Sequence, residues 1–164
     1  MGTSIVWSSV KLGISPMPSS KHAREAMLNM SSTIESGPIY ELGCGWGNLL
    51  IPLARQHPNQ EIVAYELSLI PWMSTLILIK IMGIKNITLH RSDFLKADLS
   101  KAAVVICYLF PAGMHALEKK IDKENKNLKH VISNNFALPS HTAMQTVQIN
   151  DLYKSPIYLY TFDC

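Results

Sequence analysis

Short runs of strand character, several of them almost wholly apolar, alternate along the chain with stretches whose apolar residues recur every three or four positions. The runs Ile39 to Leu42, Ile62 to Tyr65, Asn86 to His90, Ala102 to Phe110 and Val131 to Phe136 read as strands. The fourth is continuous enough to be buried on both faces. Helices are predicted over Asn48 to Gln56, Pro71 to Met82 and Pro111 to about Lys126. Another, from about Lys21 to Asn29, precedes the first strand with Ser19 or Ser20 as its cap. Pro71 and Pro111 suit first helical turns, and Gly83 suits a helix end. Two adjacent strands follow, Met144 to Ile149 and Ile157 to Phe162, and the join at Asp151 to Pro156 has hairpin character. Strand–helix alternation predicts an α/β domain: a mostly parallel sheet, helices on both faces and a C-terminal antiparallel hairpin. Residues 1–17 read as an irregular arm closed by Pro16 and Pro18.

The 164 residues fit one domain spanning 1–164, long enough to bury roughly 70% of its unfolded surface without staples. With 48% apolar and only 16% charged residues, disorder is excluded. A net charge of +3 gives no concentrated basic face, so no nucleic-acid partner is expected. The lysines 119, 120, 123, 126 and 129 alternate with Glu118, Asp122 and Glu124, as on a solvated helix end. Cys44, Cys107 and Cys164 are odd in number and lack CxxC spacing, which fits reduced thiols in a cytoplasmic protein. The six histidines show no metal-ligand spacing, so no metal is expected; His115, His130 and His141 read as surface or turn residues. The first fifteen residues hold one Lys and no long apolar run, so no secretory leader is expected. Pro71 and Lys80 interrupt the most apolar stretch, Leu67 to Ile84, which falls short of a membrane span. Its helix, 71–82, has Lys80 as its only charge. An outer helix apolar on nearly every side is predicted to meet a partner, a second copy or a membrane surface.

The informative segment is Ile39-Tyr40-Glu41-Leu42-Gly43-Cys44-Gly45-Trp46-Gly47-Asn48, a strand entering a glycine-rich turn and then a helix. Glycines allow positive φ and close backbone approach to a ligand. The spacing is not the GxGxxG of dinucleotide sites, and Glu41 precedes the first glycine by two. A pyrophosphate is repelled by an adjacent carboxylate, whereas an ammonium is attracted by one. Glu41 therefore favours S-adenosylmethionine, which carries an ammonium and no phosphate, over NAD or ATP. Glu66 ends the second strand 23 residues after Gly43, near the offset at which an acid meets ribose hydroxyls. Asp93 follows the third strand, placed to accept from an adenine amino group with Phe94 beside the ring.

With these motifs the sequence resembles the class I S-adenosylmethionine-dependent methyltransferases, whose mark is an acid followed by GxGxG. More narrowly, it is similar to the small protein-lysine methyltransferases: a short archaeal enzyme, and the mitochondrial enzymes acting on the adenine nucleotide translocator and ATP synthase subunit c. The matching stretches run from Pro18 and its helix through Tyr40 to Gly47, Tyr65-Glu66-Leu67 with Pro71-Trp72, and Ser92-Asp93-Phe94-Leu95. They continue through Leu117 to Lys120, Phe136-Ala137-Leu138-Pro139 and Tyr158-Leu159-Tyr160. Trp46 stands where the family usually has an acid, and Ser140-His141 where Gly-Trp is common. Gly-Cys-Gly-Trp-Gly also resembles the much longer cyclopropane fatty acid synthases. The resemblance implies a single Rossmann-like class I methyltransferase domain. It also implies a cofactor-binding set of Glu41, Gly43, Cys44, Gly45, Gly47, Glu66, Leu67, Asp93 and Phe94.

Methyl transfer from a sulfonium is an in-line displacement, so the protein chiefly positions a lone pair against the methyl. The resemblance places the acceptor past the fourth strand, at Cys107-Tyr108-Leu109-Phe110-Pro111, with Tyr108 and Phe110 to flank it. Asn134 and Asn135 end the fifth strand, where a side-chain carbonyl can orient an amine, and Tyr108 and Asn134 are the catalytic candidates. The acceptor it implies is an accessible lysine ε-amine in a protein. A small molecule or lipid as acceptor, or a noncatalytic methyltransferase-like module, are the alternative readings.

Overall fold

The computed structural model describes residues 18–34, 36–124 and 127–163. The predicted arm at 1–17 and the third cysteine, Cys164, lie outside the described residues. Helix α1 (Lys21–Ser32) is capped by Ser20, whose hydroxyl accepts from the Ala23 amide at 3.1 Å. Then follow β1 (Ile39–Leu42), α2 (Leu50–Gln56), β2 (Ile62–Tyr65), α3 (Leu69–Ile81) and β3 (Ile87–His90). A single 3-10 turn (Phe94–Lys96) leads to β4 (Val104–Cys107), α4 (Pro111–Glu124) and β5 (His130–Asn134). The hairpin strands β6 (Gln145–Gln148) and β7 (Pro156–Thr161) complete the sheet.

The seven strands lie in the order β3-β2-β1-β4-β5-β7-β6. The first five pair in parallel, β7 runs antiparallel to β5, and β6 runs antiparallel to β7. Every residue of β1, β2 and β4 is buried, as apolar runs in a sheet covered on both faces must be. The two faces are unequally covered. Ala23, Met27 and Met30 of α1, Leu50 and Leu53 of α2 and Ile79 of α3 pack with Ile39, Ile62 and Val104. On the other face Met114, Leu117 and Ile121 of α4 pack with Phe94, Leu99 and the strand residues Tyr40, Leu42 and Val131. Between β5 and β6 the chain supplies a loop rather than a helix.

Strands β1 and β2 have the predicted bounds, whereas β4 and β5 are shorter than their expected runs. The fourth, expected to reach Phe110, ends its ladder at Cys107, where its neighbour β1 ends at Leu42, and beyond it Leu109 keeps a single bridge. The fifth stops at Asn134 because Asn135 takes a left-handed φ of 69°. Helix α2 starts two residues later than expected, since the chain spends Cys44 to Gly47 in a turn closed by Gly47 N–H donating to Cys44 O at 3.0 Å.

Candidate active site

The strand order reverses between β1 and β4, and the crevice outside the carboxyl ends of the strands at that point, with β2 beside β1, is where such folds hold ligands. The glycine loop fills the turn after β1. Gly43, Gly45 and Gly47 have φ of 77°, 54° and 79°. At Gly45 an added Cβ would meet nothing within 4 Å, so a side chain there is opposed by the backbone conformation and by whatever approaches the loop. At Gly47 it would lie 3.0 Å from Thr75 Cγ2. The amides of Gly43 and Cys44 both donate to Tyr65 O, at 2.8 and 3.0 Å, which ties the loop to the tip of β2.

Two carboxylates meet here. Glu66 is buried, with Oε2 accepting from Gly45 N–H at 2.9 Å and Oε1 from Ser68 N–H at 2.7 Å. It thus braces the loop, and each of its oxygens keeps a lone pair for a further donor. Glu41 is also buried, and its Oε2 has no hydrogen-bond partner among the described residues. Burial, and then the charge of Glu66, push its carboxyl up to about 8. Burial, followed by the charges of Glu41 and Glu66, likewise holds the Cys44 thiol well above its ordinary value. An unpartnered buried carboxyl beside a second one is a site prepared for a cation. The other orphaned buried polar atom among the described residues is Trp72 Nε1, one helical turn before Thr75 on α3.

Leu67 is half-buried between Glu66 and α3. Asp93 caps the 3-10 turn, its Oδ1 accepting from Leu95 N–H at 2.9 Å. Phe94, expected beside an adenine ring, is only 1% exposed and packs in the core under α4. The two neighbours in sequence therefore point to different environments.

Past β4, Tyr108 stacks on Phe136 at 6.4 Å between centroids, and Phe110 meets the same ring edge-on at 5.6 Å. Asn134, buried at the end of β5, donates from Nδ2 to Ser19 Oγ at 3.0 Å. Its side-chain carbonyl accepts no hydrogen bond among the described residues. The loop carrying Phe136 is pinned in three places. Ser133 Oγ donates to Phe136 O at 2.6 Å, Leu138 N–H donates to the Tyr160 hydroxyl at 2.9 Å, and Glu118 Oε1 accepts from Ser140 N–H and pairs with His141 Nδ1, both at 2.8 Å. His141, expected at the surface, is half-buried and engaged.

Sequence reasoning missed two of these parts. Phe136 unites Tyr108 and Phe110; it stands in the matching stretch Phe136-Ala137-Leu138-Pro139, but the sequence assigned it no role. Thr75 is fully buried and donates to Gly45 O at 2.9 Å, holding the loop against α3. Its signal is a lone hydroxyl on the inner side of an apolar helix.

Residues 41–145 match the model of the ANTKMT methyltransferase domain. The chain belongs to the ANTKMT methyltransferase family. It is thereby an S-adenosylmethionine-dependent methyltransferase of class I, the fold its sheet order shows. A protein-lysine N-methyltransferase of Saccharolobus islandicus is 24% identical to this family member over 146 residues, covering 88% of this chain and 91% of that protein. An uncharacterised protein of Rickettsia prowazekii is 31% identical over 134 residues, 74% of this chain but 23% of that protein. A crystal structure of an RNA methyltransferase from Salinibacter ruber, in complex with S-adenosyl-L-homocysteine, superposes with a TM-score of 0.77 and 26% identity over 88% of this chain and 93% of that one. A putative methyltransferase of Escherichia coli shares the fold, with a TM-score of 0.69 and 14% identity over 92% of each chain.

Proposed function

We propose that this methyltransferase acts on a lysine ε-amine of a protein. The observation that carries the reading is the aromatic wall of Tyr108, Phe110 and Phe136 at the tips of β4 and β5, beside a buried Asn134 whose carbonyl is open. The similarity to the archaeal protein-lysine N-methyltransferase supports it. The Salinibacter relative acts on RNA by its description, but the acceptor wall here differs from a phosphate-binding surface. Neither Val104 to Leu117 nor Val131 to Ser140 contains a Lys or Arg.

In this reading Glu41 receives the ammonium of the cofactor, the backbone of Gly43, Cys44, Gly45 and Gly47 gives it room, and Glu66 accepts from the ribose hydroxyls. Leu67 and Asp93 border the nucleoside end, while Phe94 stays in the core under α4 and makes no contact with the ligand. Bound S-adenosylmethionine supplies an electrophilic methyl on a sulfonium. The chain's own residues then act on the acceptor. Free lysine has a pKa of about 10.4, so at neutral pH on the order of one amine in a thousand carries a free lone pair. An aromatic, water-poor wall disfavours the ammonium form and raises that fraction. Asn134 accepts an N–H of the amine and aims its lone pair, and Tyr108 fixes the aliphatic stem. No side chain needs to act as general base if water takes the proton before attack.

Mass spectrometry of a lysate incubated with enzyme and cofactor tests the acceptor, with lipid and RNA fractions in parallel. New methyl groups on protein lysines are expected, faster as pH rises above 7. Methylation confined to lipid or RNA would overturn the lysine reading.

A further inference from the structure

Helix α3 has thirteen residues and no acid, and its outward side is apolar. Ile70, Met73, Ile77 and Ile81 follow one another at spacings of three and four, so they share one face. Met73 is 47% exposed, Ile77 53% and Ile81 76%. Lys80 stands on the same face, three residues after Ile77. From Leu67 to Ser92 there are three Lys or Arg (Lys80, Lys85 and Arg91) and no Asp or Glu. The remainder of the chain is balanced, so this segment carries the whole net charge of +3. Trp46, 38% exposed, sits on the glycine loop that Thr75 ties to α3.

We infer that the outer face of α3 docks the protein on an anionic membrane surface. Four large apolar side chains give the insertion, Lys80 extends its ammonium past them to a lipid phosphate, and Lys85 adds a second contact. At about 20 Å the helix is too short to cross a bilayer of roughly 30 Å, and it lies flat. No helix among the described residues is long and apolar enough to span. A second copy of the chain suits the face less well, because a two-fold contact would join two copies of a segment that carries Lys80, Lys85 and Arg91 and no Asp or Glu to pair with them. Since α3 begins three residues after Glu66, a protein seated on this face holds its site at the membrane surface.

Flotation of the full chain with vesicles tests the inference. One set is phosphatidylcholine alone, the other equal parts phosphatidylcholine and phosphatidylglycerol. The chain should float with the mixed vesicles about tenfold more strongly than with phosphatidylcholine, and added salt should release it. Ile77→Ser with Ile81→Ser should lose about tenfold of that binding, with affinity for S-adenosylhomocysteine and thermal midpoint unchanged. Lys80→Glu with Lys85→Glu, at exposed positions, should abolish the preference for anionic lipid. Failure to float, flotation indifferent to both variants, or a wild-type dimer that the serine variant dissociates would overturn the inference. So would capture by a soluble acidic protein without flotation.

Discussion

Glu41 is buried beside Glu66 with an oxygen that meets no donor, and its carboxyl is pushed up to about 8 from an ordinary 4.5. The folded state therefore keeps a proton that the unfolded chain releases. Stability falls as pH rises between about 4.5 and 8, with a slope no steeper than about 1.4 kcal/mol per pH unit. Glu41→Gln should remove that slope, measured by urea unfolding at a series of pH values; an unchanged slope would place the titration elsewhere. A cation arriving at Glu41 favours its ionised form, so binding of the cofactor product should strengthen between about pH 6 and 7.5. Above about 8 the ligand's own ammonium titrates. Glu41→Gln should flatten the rising limb in calorimetry.

At the scale of elements, two braces hold the site. Thr75 of α3 supports the glycine loop, and Gly47→Ala combines a left-handed φ with a 3.0 Å approach to Thr75 Cγ2. It should cost more than about 1 kcal/mol in unfolding experiments and weaken cofactor binding together with stability. The second brace holds the loop after β5 to α4. Burial works to raise the Glu118 carboxyl, but hydrogen bonds from His141 and the Ser140 amide outweigh it and keep it below the ordinary 4.5. A lowered carboxylate contributes stability above its unfolded value and loses that contribution as pH falls through its folded value. Glu118→Gln should therefore flatten the acid limb of the stability curve below about pH 4.5, while leaving the slope set by Glu41. Tyr160→Phe removes the donor's partner at Leu138 N–H and should slow methyl transfer with little change in cofactor affinity.

These braces mark what the sequence could and could not show. The central strands and their alternation with helices were legible because burial on both faces leaves nearly unbroken apolar runs in β1, β2 and β4. The bounds of β1 and β2 were legible too, but that of β4 was not, because its ladder with β1 ends where β1 ends, Cys107 opposite Leu42. Glu41, the three glycines and Glu66 stand together in the fold since they share one strand–turn–helix–strand unit. Phe136 and Thr75 act across 25 or more positions, and no local spacing announces such contacts. Asp93 and Phe94 are adjacent in sequence yet diverge, because a 3-10 turn directs one to a cap and the other to the core.

Across the whole molecule, the sheet divides the labour. The tips of β1 and β2 carry the carboxylates and the glycine loop, while the tips of β4 and β5 carry the aromatic wall and Asn134. The central claim is that the first pair holds the cofactor and the second pair holds the acceptor. Titration calorimetry with S-adenosylhomocysteine separates them directly. Glu66→Ala loses hydrogen bonds to a carboxylate worth about 1.5–3 kcal/mol each, and should bind roughly ten- to hundredfold more weakly than wild type. Tyr108→Ala should bind within about twofold of wild type, its loss appearing only in turnover. An unchanged affinity in folded Glu66→Ala, or an equal loss in Tyr108→Ala, would contradict the account.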